Sequence, residues 1–409
     1  MTEMKAPVKR QVSEMPFSPE HRLLLCCARL RLTATDRKLL RDLSSSPSLD
    51  WAEVIKETQR QSIVPLVYHH LHAACADLTP PDVLRQLRAE YLYAAARSMA
   101  LAAELREITQ LLAIEGVGAL PYKGPVLALQ AYGDIALRSF TDLDLIVRPR
   151  DITKAREILA CRGYLPLENL TSSQERAVLK LEHNIPLISS AGDVVVELHW
   201  RIAPMAFSFP MPMEGLWERA VPVRLGGKVV SGISVDDLMI LLPVHGTRHA
   251  WSAVEWVTGI AELMRQPDSV GWNRVIRDAE HLRVGRIVRL AVALANRLLD
   301  APIPDTVARW IDHDTQIPSL VSWVAARLFV PVDLSSATQQ RAVFQFEMAV
   351  KDGIRERLRD GFRRVTYPTG KDWAATGLPD ILFPLYYLVR PGRLLARYLR
   401  HAVWGKFAA

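Results

Sequence analysis

Residues 122–150 read YKGPVLALQAYGDIALRSFTDLDLIVRPR, and the alternation near the end of this stretch decides how the chain folds. Thr141 to Val147 has the pattern of a short strand. Successive side chains in a strand point to opposite faces, so Asp142 and Asp144 project together while Leu143, Leu145 and Val147 face the other way. Two carboxylates at that spacing repel each other and lose hydration. They are tolerated where a cation sits between them, most simply a divalent metal ion. Upstream, Lys123-Gly124-Pro125 marks a strand-to-helix turn. Glycine there permits close approach of a ligand, proline suits the first helical position, and a helix N-terminus attracts phosphate.

Working outward, Val117–Tyr122 reads as the strand before that turn, and Arg150–Thr153 opens a helix that closes at Gly163. Leu181–Ser190 and Asp193–Trp200 read as a hairpin around Ala191-Gly192. The N-terminal side is helical in pattern. Pro19-Glu20 and Ala34–Asp36 start helices, Asp50 is placed as an N-cap, and a long 3.6-residue periodicity runs from Pro81 to Gly116. Beyond Ser234 the pattern turns helical again. Eight prolines between 302 and 391 predict shorter helices with connecting loops. The expected organisation is a flexible 1–18, a helical 19–115, a core of mixed sheet over 116–235, a helical substrate-binding region over 236–300, and a basic helical region over 301–409. The fold class is α+β, a small mixed sheet flanked by helices.

Apolar residues make up 49% of the chain and charged residues 23%, which excludes a disordered or fibrous protein. Cys26, Cys27, Cys75 and Cys161 form no CxxC pair and read as reduced, buried thiols. No apolar run approaches the roughly 20 residues a membrane helix needs, and the polar N-terminus lacks a signal-type stretch. These features predict a cytoplasmic protein. The net charge of +7 is matched by the segment from Ile354 to the end, which holds eleven Lys/Arg against four Asp/Glu. Such a tail attracts nucleic acid or an anionic membrane, or is a solvated helix face, the reading favoured here.

Nucleotidyl transfer at two metal ions needs a third carboxylate near the first two. Glu197, alone in the β-branched run VVVELHW, fits as that third ligand. Arg138 and Ser139, just ahead of the acidic strand, are candidates to clamp a triphosphate; Arg138 could instead pair with Asp134 or Asp142. Among the histidines, His199 shares a strand face with Glu197 and suits support of the site or nucleotide contact, with His183 a lesser candidate. His245 and His249 are spaced i,i+4; they either face the nucleotide or acceptor or pack with Trp251 and Trp256. The absence of HExxH excludes a metalloprotease. His69, His70 and His72 read as exposed or capping residues.

Tyr122–Pro125, Tyr132–Asp134, Ala136–Arg138, Thr141–Val147 and Glu197–Trp200 together resemble the uncharacterised nucleotidyltransferase family of the DNA polymerase β-like superfamily. The likeness extends to Pro65–Tyr68 and to His245–Trp251, covering most of residues 20–300. It implies that Asp142, Asp144 and Glu197 bind Mg²⁺ or Mn²⁺, and that an NMP group passes from an NTP to an acceptor with release of pyrophosphate. The acceptor is a small molecule, a peptide or a polysaccharide precursor; nucleic acid is not favoured, and oligomeric state is left open. The usual Gly-Ser of the superfamily is Lys123-Gly124-Pro125 here, so phosphate contacts fall to Lys123, Gly124, Arg138 and Ser139. Two alternatives remain: a toxin-like enzyme acting on tRNA or protein, and a non-catalytic scaffold with a degenerate transferase fold.

Overall fold

A computed structural model describes residues 17–404 apart from 332, 334 and 335. The segment 1–18 therefore lies outside the described residues except for its last two positions. The chain is α+β, with five strands in the order β1-β2-β5-β4-β3: β1 Ala119–Pro121, β2 Asp142–Val147, β3 Tyr164–Pro166, β4 Asn184–Ser189 and β5 Val195–His199. β2 and β5 run parallel while the other pairings are antiparallel, so the sheet is mixed. A separate two-stranded sheet joins β6 Val221–Leu225 to β7 Lys228–Gly232. The expected single sheet over 116–235 is thus two sheets.

One face of the main sheet is apolar. Leu143, Leu145 and Val147 of β2 pack with Val196 and Leu198 of β5 against Leu101, Leu105, Ile108 and Leu112 of the helix Pro81–Ile114. Those four helical positions share one stripe because 3.6 residues make a turn. The opposite face carries Asp142, Asp144, Glu197 and His199 and looks toward the helix Val235–Arg248. Ile146, also on that side, is fully buried and joins the helical core, so β2 lacks the simple in–out alternation of a half-exposed strand.

That helical core is continuous from Leu23 to Val350. Gln61, itself fully buried, ties distant parts together, donating to the Leu328 carbonyl at 2.9 Å and accepting from the Val254 amide at 2.7 Å. Local signals place several ends as anticipated. Asp50 caps Trp51–Arg60 by accepting from Ala52 at 2.9 Å, and Gly116 takes φ 74° after the long helix. The unanticipated helix Ser172–Leu181 begins with a Thr171/Gln174 capping box. It ends at Leu181, where the first hairpin strand was expected to start. Helices are short after Pro302, except Tyr386–Trp404, which continues through Pro391. Cys26, Cys27 and Cys75 are buried free thiols, but Cys161 is exposed, because it ends the helix Ile152–Cys161 at the solvent. The expectation of four buried thiols is corrected to three.

Gly246 marks the tightest contact beside the carboxylate face. A Cβ there would lie 2.6 Å from the fully buried Trp251 ring. Gly246→Ala is expected to destabilise the protein by about 1–3 kcal/mol through overpacking, read as a lower urea midpoint at unchanged slope.

Candidate functional site

β2 and β5 are neighbours in parallel register, with Asp144 directly opposite Glu197. Paired residues in adjacent strands share a face, so the two carboxyl groups come together across about 5 Å of sheet. His199, two residues beyond Glu197, points the same way. Donor atoms of Asp144, Glu197 and His199 all lie within 4.8 Å of one another. Asp142 shares the face at the start of β2, yet it is not a member of that group and is half-buried.

The cluster is dense in hydrogen bonds. His199 Nε2 lies 3.0 Å from Asp144 Oδ1 and 3.2 Å from Glu197 Oε2. Both partners are carboxylates, so Nε2 carries the proton and donates. Lys123 Nζ donates to Asp144 Oδ1 at 2.8 Å and sits 4.8 Å above the Tyr122 ring. Asn184 Nδ2 donates to Glu197 Oε2 at 2.6 Å. Tyr122 and His183 hold the His199 ring edge-on at 5.4 and 5.7 Å between centroids.

Charges follow from this packing. Burial alone would raise the Asp144 carboxyl, but Lys123 and the hydrogen bond from His199 hold it well below the usual carboxylate range. Burial and the Asp144 carboxylate push Asp142 up to about 6. The site therefore presents one strongly ionised carboxylate, one strained toward protonation, and Glu197, which burial raises but His199 holds down. His199 itself is raised, the two carboxylates outweighing burial.

These residues fit a divalent ion. Three carboxylates border one face, and Asp142 has its charge held back by burial and then by acidic neighbours, whose repulsion a bound cation would relieve. Oxygen donors suit Mg²⁺, while His199 adds a nitrogen that Mn²⁺ accepts more readily. For His199 to ligate, Nε2 must release the proton it now donates.

The remaining candidates divide. Lys123 is in the cluster, and Gly124, with φ 55° at the strand-to-helix turn, forms its backbone edge. Arg138 is buried and turned to Glu255, with Nε 2.5 Å from Oε1, and donates to the Gly124 carbonyl at 3.5 Å. Its partner is neither Asp134 nor Asp142. Ser139 is half-buried in the loop before β2. His245 and His249 lie 4.6 Å apart between ring centroids, tilted by 48°, and both pack on Trp256, at 5.5 and 5.2 Å. They also feel the charge of Lys123, so packing and proximity to the site hold together. His183 lies beside His199; burial first, then Arg248, lowers its pKa far below the ordinary value. His70 is neither exposed nor a cap. It bonds the Arg29 carbonyl through Nε2 at 2.6 Å, and burial lowers it to about 4.

Arg248, Asn184 and Glu255 were missed by the sequence reading. Arg248 donates to the Ile202 carbonyl at 3.2 Å and makes no ion pair with a carboxylate among the described residues. Burial lowers its pKa, and its charge bears on His183 and His249. The one available signal was its place between His245 and His249 on a helix. Glu255, 117 positions from Arg138, offered none.

Among known proteins, a family model described as an uncharacterised nucleotidyltransferase matches residues 47–300, which include every member of the carboxylate cluster. No curated protein and no solved structure matches the chain.

Proposed function

The chain belongs to this uncharacterised nucleotidyltransferase family, and from that premise we propose that it transfers an NMP group from an NTP to an acceptor hydroxyl at the β2–β5 face. The observation that carries the reading is the convergence of Asp144, Glu197 and His199, with their donor atoms within 4.8 Å of one another and Asp142 on the same face. A divalent ion held there by Asp142, Asp144 and Glu197 would neutralise the charge that builds on the phosphates. Glu197 accepts the acceptor's proton as that oxygen bonds to the α-phosphorus. The bond between the α-phosphorus and the bridging oxygen breaks, and pyrophosphate leaves. His199 and Asn184 hold Glu197 in place for this step.

Arg248, rather than Arg138, is the arginine for the triphosphate in this proposal. Arg138 is already matched by Glu255, whereas Arg248 faces the site without a carboxylate partner. A guanidinium in that position is matched by a phosphate. Arg248→Ala is expected to raise KM for the NTP by roughly 10- to 100-fold, measured from initial rates against NTP concentration. An unchanged KM removes Arg248 from the nucleotide site.

The reaction itself is tested with labelled NTPs, Mg²⁺ or Mn²⁺ and a cell extract as the source of acceptor. Label transfer with pyrophosphate release supports the reading. Lys123 favours a second one, a non-catalytic scaffold, since its ammonium already neutralises Asp144 at 2.8 Å. Wild-type protein that neither shifts its melting temperature with Mn²⁺ nor turns over any NTP decides for the scaffold.

A further inference from the structure

The C-terminal helices are docked by their polar sides and turn their apolar sides outward. In the helix Ile354–Thr366, Asp360 is 1% exposed; it pairs with Lys351 at 2.8 Å and accepts from the Ser208 amide at 3.0 Å. Arg363 donates to the Met205 carbonyl at 3.1 Å from the same side. The opposite side carries Ile354, Leu358, Phe362 and Val365, exposed by 75%, 68%, 69% and 45%. At about 100° per residue these four fall within an arc of about 80°. Arg355 and Arg357, both exposed, border that arc.

Two following elements repeat the inversion. Fully buried Asp372 binds Arg390 at 3.0 Å and Arg393 at 2.7 Å, pinning the helix Tyr386–Trp404 by its basic side. Leu388 and Leu395, one heptad apart, are left 72% and 58% exposed. The turn Asp380–Leu385, just before that helix, exposes Ile381 by 87%. An apolar row in water is unfavourable, and rotating either helix to bury it would break the buried ion pairs.

From this arrangement we propose that residues 354–395 form a surface that docks on an anionic lipid bilayer. Charge selects the occupant. Residues 354–395 hold eight Lys/Arg and four Asp/Glu. Asp360, Asp372 and Asp380 are engaged by neighbouring protein groups, as are Arg359, Arg363, Arg364, Arg390 and Arg393, so Arg355, Arg357 and Lys371 are the basic side chains left exposed. An apolar row bordered by arginines lets the side chains enter the headgroup region while the guanidinium groups reach lipid phosphates. A second copy of the chain would set arginines against arginines. RNA would find one aromatic side chain in the row on Ile354–Thr366 and no stacking platform. No described helix is long and apolar enough to cross a membrane, so the contact is peripheral.

The test is co-sedimentation of the full chain with phosphatidylcholine vesicles, with and without phosphatidylserine. Binding is expected only with phosphatidylserine and should weaken as salt rises. Leu358→Glu/Phe362→Glu changes exposed positions and should lower the partition coefficient roughly tenfold or more. Arg355→Glu/Arg357→Glu provides an independent variant with the same expected direction. Binding that ignores phosphatidylserine, or that both variants leave intact, overturns the proposal. So does a protein mass in light scattering that halves in Leu358→Glu/Phe362→Glu, which would assign the surface to a second copy. RNA retained by the wild type and lost only in the arginine variant would assign it to nucleic acid.

Discussion

Asp144→Ala is expected to abolish transfer and to weaken the fold at once. Asp144 is 2% exposed and receives both Lys123 at 2.8 Å and His199 at 3.0 Å. Removing it strands the Lys123 ammonium beside Tyr122 with no hydrogen-bonded counter-charge, which costs about 3–5 kcal/mol for a buried pair. Urea unfolding measures that loss. The double variant Lys123→Met/Asp144→Ala should recover much of it, because no uncompensated ammonium then remains. Activity should not return in the double variant, since the carboxylate is still gone. Asp144→Asn keeps the shape and should lose roughly a thousandfold or more in turnover, a size typical of losing a group that stabilises transition-state charge. Asp144→Asn with wild-type turnover would sink the proposed site.

Glu255→Ala is the second substitution with a large expected effect. Arg138 and Glu255 are each 7% exposed by side chain, and their 2.5 Å contact anchors the loop before β2 to the helix Val254–Arg265. Loss of Glu255 leaves a buried guanidinium with the Gly124 carbonyl and the Phe140 ring but no hydrogen-bonded carboxylate, again about 3–5 kcal/mol. Arg138→Met/Glu255→Leu replaces the pair by apolar groups of similar volume and should be far milder. That variant also separates two roles for Arg138. Near-normal stability with a normal KM for NTP makes Arg138 a brace for the acidic strand; a KM raised tenfold restores it as a phosphate contact.

What could be read in advance was whatever is encoded locally. The face shared by Asp142 and Asp144 follows from strand alternation, as does that shared by Glu197 and His199. The Asp50 cap, the Gly116 terminus and the hairpin around Gly192 each rest on a few adjacent residues. Register across the sheet is not local. Asp144 opposite Glu197 depends on how β5 slides against β2, and a one-residue slip would have turned the glutamate to the apolar face. β3 is three residues long, too short for periodicity to register. Thr171/Gln174 is a legible capping box, and it starts the helix Ser172–Leu181. Arg138 reads as a phosphate ligand from sequence because Glu255, which it meets in the fold, lies in another layer. Arg248 was hidden by its histidine neighbours, which drew the attention to packing.

The parallel β2–β5 pairing also fixes when the site can exist. Asp144 and His199 are 55 positions apart, and parallel strands need a crossover before they can meet. That crossover contains the helix Ile152–Cys161, the helix Ser172–Leu181 and the β3–β4 pair. Closing so long an excursion costs chain entropy that contacts repay only once the sheet is complete. The acidic face is therefore a property of the finished sheet. A chain still emerging from synthesis before Val195 carries Asp142 and Asp144 without their partner, and the cluster is completed by the last central strand to arrive.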